Sequence, residues 1–162
     1  AFEDATDELR RGIAAYEATG ARLWRAQSLG FLAKALTTSG QHDRALEAVV
    51  EALALARETG EQAAAAELHR IHGDVLLACS DAHLPAVVFE AEECLTRALT
   101  VARAQRAKSW ELRAATSVAR QYLHQAKVAK ARRLIAPVVE WFSEGHDTAD
   151  VKAARAILDE AS

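Results

Sequence analysis

LGFLAKALTTSGQHDRALEAVVEALALAR, residues 29–57, is the stretch from which the fold can be read. Two Ala/Leu-rich helical patterns flank a short polar turn at Gly40, Gln41, His42 and Asp43. Leu29, Leu32, Ala33 and Leu36 fall on one helical face, and Ala45, Val49 and Ala52 on the face of the next. Small residues at 33, 45 and 52 let two antiparallel backbones approach, and the larger ones fill the space around them. A single hairpin of this kind buries only part of its apolar surface, so it needs copies of itself alongside.

The copies follow in order. Gly73 and then Ala119 take the place of Ala33; Ala91 and then Ala131 take that of Ala45. Leu95 and Ile135 repeat Val49, Ala98 and Val138 repeat Ala52, and Tyr122 repeats Leu36. The period is 40 from Ala33 to Gly73 and 46 from Gly73 to Ala119, with six residues added around 80–85, where Pro85 suits the first turn of a helix. The small-residue positions favour a tetratricopeptide-like hairpin with lengthened helices; the period alone also allows a HEAT-like one. Pro137, inside the last return helix, should bend it or widen a turn.

Residues 3–18, with Leu9, Ile13 and Tyr16 on one stripe, read as the second helix of a hairpin whose first helix lies upstream. A last helix over 148–160, with Asp147 or Thr148 as N-cap, carries Val151, Ala154, Ile157 and Leu158 on one side and should close the stack. The expectation is an all-α, right-handed superhelix of about eight helices in one domain. It divides into a half repeat (1–20), three repeats (21–60, 61–106 and 107–145) and a capping helix (146–162).

Composition agrees. The 162 residues are 51% hydrophobic and 27% charged, ordinary for a water-soluble domain, and 38 of them are alanine, the strongest helix former. Gly20, Gly40 and Gly60 stand where helices of about seventeen residues, about 25 Å each, should stop. No run of about eighteen apolar residues is present to span a membrane, and the first thirty residues are not signal-like, so the expected location is cytoplasmic. Two cysteines, Cys79 and Cys94, read as reduced thiols. Methionine is absent even at position 1, which reads as a piece of a longer protein.

Three stretches carry a family resemblance: Ser109 to Glu160 (SWELRAA at its start, LIAPVVEWFSEG over 134–145, then Asp147-Thr148), Ala66 to Leu77 (AELHRIHGDVLL), and Leu9 to Leu23 (LRRGIAAYEATGARL). They resemble the C-terminal tetratricopeptide-like region of bacterial proteins that join a class III adenylate/guanylate cyclase domain, or a helix-turn-helix regulatory domain, to a signalling ATPase module. The resemblance implies a sensor or scaffold segment of a signalling protein, with catalysis residing upstream. Its motifs concern packing, not chemistry.

Candidate chemistry is sparse. His69 and His72 with Glu67, and Cys79, His83 and Cys94, offer metal-ligand residue types, but without C-x-x-C or H-E-x-x-H spacing a histidine pair lining the hairpin seam is the better reading, and no metal or cofactor is expected. No serine has a nucleophile-elbow setting, so no enzyme is expected here.

Binding is the more natural role. The first helix of each hairpin should line a concave groove, turning Gln27, Lys34, Glu67, Arg70, Asp74, Arg113 and Arg120 inward to take a protein or peptide segment, from a partner or from another domain of the parent chain. The Lys and Asn pairs with which some such repeats grip a C-terminal carboxylate are replaced here by Gly30 and Thr116. Residues 101–135 hold nine basic and one acidic side chain in a chain of net charge −3. This basic block (Arg103, Arg106, Lys108, Arg113, Arg120, Lys127, Lys130, Arg132 and Arg133) is a solvated face or an alternative site for an anion or nucleic acid. Negative net charge and the lack of interleaved aromatics count against nucleic acid. A structural spacer is the third reading. Trp110 and Trp141 are expected to wedge between hairpins, with Trp24 open between wedge and interface anchor. The apolar side of residues 3–18 could pair two copies of the chain.

Overall fold

In the computed structural model, described for residues 2–20, 23–79, 81 and 83–161 and for side chains from Thr6 onward, the chain is all-α. Among the described residues there are eight helices and no strand: α1 (Phe2–Ala18), α2 (Arg25–Thr38), α3 (His42–Thr59), α4 (Ala65–Ala78), α5 (Pro85–Ala104), α6 (Lys108–His124), α7 (Val128–Glu140) and α8 (Ala149–Glu160). Consecutive helices pack as the hairpins α2–α3, α4–α5 and α6–α7, with α1 against α2 and α8 against α6 and α7. The first helices of the hairpins also touch one another, α2 on α4 and α4 on α6, forming one inner layer. α3 and α5 each pack on α4 but not on each other.

All six small positions named from the repeat are buried: Ala33, Ala45, Ala91, Ala119 and Ala131 are fully covered, and Gly73 is buried in α4. A Cβ on Gly73 would stand 2.7 Å from Leu95 Cγ and 3.0 Å from the Ala91 carbonyl oxygen, so the α4–α5 contact depends on its absence. Gly30 has the same role between neighbouring hairpins: a Cβ there would meet Leu68 Cδ2 at 2.6 Å. Position 30 is thus a helix–helix contact, which is the physical reason no clamp residue stands in it.

The chain's punctuation follows backbone sterics. Gly40 and Gly60 end α2 and α3 at φ 76° and 70°, the left-handed region that costs glycine nothing. Arg106 (φ 54°) and Ala126 (φ 56°) do the same work after α5 and α6 without glycine, so composition did not mark those stops. Pro85 occupies the first turn of α5, and α7 ends at Glu140, three residues after Pro137. Thr148 stands at the N-cap of α8, but its hydroxyl donates to the Gly145 carbonyl (2.7 Å) rather than accepting from the helix.

Three expectations are corrected. The first repeat's leading helix begins at Arg25, not near residue 21, whose own structure lies outside the described residues. The repeat also implies one continuous apolar seam through the three hairpins, but buried side chains gather in one cluster over α2–α4 and another over α5–α8. Trp141 is no wedge, being 58% exposed, with Phe142 edge-on at 5.0 Å and Lys108 Nζ 5.5 Å above its ring. Trp110 is half-buried against the first cluster, and Trp24, exposed at φ 68°, precedes α2. Leu9 and Ile13 pack on the first cluster and stay partly exposed, as does Tyr16.

Candidate functional site

Helical spacing gathers most of the proposed groove residues. Glu67, Arg70 and Asp74 lie at i, i+3 and i+7 on α4; Arg113, Ser117 and Arg120 lie at i, i+4 and i+7 on α6; Lys34 comes from α2 and Asp150 from the first turn of α8. Glu67, only 5% exposed, accepts from Arg70 Nε (2.8 Å) and Nη2 (2.7 Å) and from Arg113 Nη1 (3.1 Å). Arg113 Nε donates to Asp150 (2.7 Å), Arg70 Nη1 pairs with Asp74, and Ser117 Oγ donates to Asp74 (3.3 Å). Three helices, α4, α6 and α8, are therefore tied by one ionic network.

The energetics of the network set its charges. Burial would push the Glu67 carboxyl up, but the hydrogen bonds and charges of Arg70 and Arg113 outweigh it and hold the group below the usual carboxylate range. Asp74 goes the other way: burial raises it, and Arg70 and Ser117 offset this only in part. Arg70 and Arg113 stay firmly charged, because their carboxylate partners outweigh their own desolvation.

The cleft over the network, about 120 Å³, is lined by Lys34, Arg70, Arg113, Ser117, Arg120 and Asp150. Lys34 and Arg120 are exposed and have no ion pair or hydrogen bond among the described residues. Past Asp74, Ser117 and Arg120 the cleft opens into a recess of about 830 Å³, with Leu77, Val88 and Gln121 among its walls. Gln27, half-buried two turns before Lys34, lines neither space. Thr116 turns its hydroxyl to the Leu112 carbonyl (2.7 Å) and borders the cleft.

The basic block does not form one surface. Arg103 Nε (2.9 Å) and Lys108 Nζ (2.8 Å) both bind the buried carboxylate of Glu111, pinning the end of α5 to the start of α6. Burial acts upward on Glu111, and those two cations bring it below its ordinary range. Arg113 belongs to the inner network. Lys127 bonds Gln125, Arg133 Nε reaches the Ala129 carbonyl (3.3 Å), and Arg106, Lys130 and Arg132 are simply exposed.

A cavity of about 1000 Å³ lies on the opposite face, where α3 and α5 stand apart and leave α4 as a floor. His69 and His72 are on that floor, facing away from Glu67, so the three do not converge; among the described residues no cluster of three His, Cys, Asp or Glu is arranged to hold a metal. Cys94 Sγ is 3.4 Å from His72 Nδ1. Burial, with Glu90 and Glu93, pushes the Cys94 thiol up to about 11, which keeps it protonated and unsuited to nucleophilic work. Cys79 is also a free thiol. Sequence reasoning missed this groove and the role of Asp150; the available signal was Val50 and Phe89, large apolar residues off the packing seam, both exposed.

Neither the models of known protein families nor the curated proteins contain a match to this chain. No helix among the described residues is long and apolar enough to cross a membrane.

Proposed function

We propose that this chain is a tetratricopeptide-like scaffold segment, right-handed in its stacking, of a bacterial signalling protein. Its inner face takes an acidic segment of a partner or of another domain of the same parent. One observation carries the reading. Arg70 and Arg113 have their charges matched by Glu67, Asp74 and Asp150, whereas in the same cleft Lys34 makes no ion pair among the described residues and Arg120 has only a longer-range attraction to Asp74, which Arg70 already binds. An ionic network that is already paired holds its shape without ligand, so the two remaining cations are presented to a carboxylate at little cost in ordering. The adjoining recess, with Leu77 and Val88, gives an apolar side chain of the same segment somewhere to lodge.

The test is fluorescence anisotropy with labelled peptides of about twelve residues, one set glutamate-rich and amphipathic, the other lysine-rich. Acidic peptides should bind, and Lys34→Glu with Arg120→Glu should weaken them by about tenfold or more, because reversing two charges adds repulsion to the lost attraction. Binding indifferent to that reversal, or preference for the basic set, refutes the reading. No binding by either set leaves a structural spacer in its place.

A further inference from the structure

Positions that the repeat buries elsewhere are bare at one end of the stack. α4 rests on both helices of the hairpin before it, α2 and α3, and α6 rests on α4 and α5, whereas among the described residues α2 has only α1 behind it. Leu68 and Ile71 of α4 pack on Gly30 of α2 and are buried. One repeat later those positions are Ala114 and Ser117, also buried; one repeat earlier they are Ser28 and Phe31, and Phe31 is 46% exposed. The same register relates the buried Ala64, and Trp110 packed on the cluster over α2–α4, to Trp24, which is 51% exposed. α1 shows the same loss of cover: Leu9, Ile13 and Tyr16 stand where α3 has the fully covered Ala45, Val49 and Ala52, yet are partly exposed.

We propose that two copies of this chain pair through this end, α2 lying antiparallel to the partner's α2 about a two-fold axis near Ser28. The contact continues the inner layer already formed by α2, α4 and α6. Ser28 and Phe31 share a stripe of α2, and Trp24 stands at the N-terminal end of that stripe. Large, small, large reads the same in either direction. Each Phe31 therefore meets the partner's Trp24, while the two small Ser28 side chains let the backbones approach at the crossing. Trp24 holds φ 68°, a backbone conformation that glycine adopts without strain, so an exposed tryptophan there points to work for its ring. The same patch meets itself, so pairing closes at two copies; α8, packed on α6 and α7, covers the far end of each stack.

Sedimentation equilibrium from micromolar to millimolar protein reads the mass directly, and it should rise from 17.5 kDa toward twice that. Phe31→Glu should hold it at the single-chain value, and Trp24→Gly should weaken pairing by roughly tenfold or more while relieving the backbone. Both side chains are exposed in the single chain, so the variants fold, and thermal melts check it. Ser28→Cys, combined with Cys79→Ser and Cys94→Ser, should cross-link on oxidation into a covalent dimer, and adding Phe31→Glu should abolish that product. Phe89→Ser, in the outer groove, should leave the mass as in the unaltered chain. A single-chain mass at every concentration, which would leave this end to a helix of another protein, overturns the proposal. So does a dimer that survives Phe31→Glu, or one that Phe89→Ser dissociates.

Discussion

Glycines test how far single positions are decided by packing rather than by propensity. Within a helix, Gly→Ala gains about 1 kcal/mol from propensity alone. At Gly12, in α1, a new Cβ meets nothing within 4 Å, so that gain should appear nearly whole in chemical denaturation. At Gly73 the same methyl lands 2.7 Å from Leu95 Cγ with the Ala91 carbonyl behind it, and overpacking costs about 1–3 kcal/mol. Gly73→Ala should therefore destabilise, opposite in sign to Gly12→Ala. A stabilised Gly73→Ala would mean that α4 and α5 are not in this close contact. Ala126 is the converse: it holds φ 56° against the strain an L-residue suffers there, so Ala126→Gly should gain about 0.5–1 kcal/mol.

At the scale of the helix, α4 carries opposite chemistry on its two sides. Its inner side holds Glu67 and Arg70 in the ionic network; Glu67→Gln leaves Arg70, only 11% exposed, short of a counter-charge and should cost about 2–3 kcal/mol. Asp150→Asn removes a carboxylate 39% exposed at the network's edge and should cost under about 1 kcal/mol. Its outer side holds His69, whose proton affinity burial lowers, with Arg97, Arg57 and His72 adding to it, to about 4. The unfolded chain binds that proton with a pKa near 6.5, so the folded state is favoured above 6.5 and loses this advantage as pH falls toward 4. Urea midpoints should fall across that window by an amount worth about 1–2 kcal/mol, and His69→Gln should flatten the slope there. Helical periodicity revealed the inner face of α4, because the i, i+3, i+7 spacing of Glu67, Arg70 and Asp74 is written in the sequence. It could not reveal which cations are already paired, since Glu67 with Arg113, and Arg113 with Asp150, are 46 and 37 residues apart and meet only through packing. The outer groove was hidden for a related reason: it exists because α3 and α5 diverge, and divergence between non-consecutive helices leaves no periodic mark.

For the molecule as a whole, the division of the core decides how cooperatively it unfolds. The repeat pattern read as one seam, and every small residue of that pattern is indeed buried, yet the large apolar residues separate into Leu36, Val49, Leu68 and their neighbours on one side and Leu112, Ile135, Val151 and theirs on the other. Between them lie the close α4–α5 contact, where Gly73 meets the fully buried Leu95, the His72–Cys94 contact and the Glu67 network. In a stack where each hairpin touches chiefly its neighbours, one half can open without the other. Leu36→Ala and Ile135→Ala each empty a fully buried leucine or isoleucine site and should each cost about 2–5 kcal/mol. Amide exchange under native conditions should then differ between them. Leu36→Ala should speed exchange in α2 and α3 by much more than in α7 and α8, and Ile135→Ala should do the reverse. If either substitution accelerates every helix to the same extent, the two clusters unfold as one body, and the ionic layer at α4 and α6 transmits cooperativity instead of limiting it.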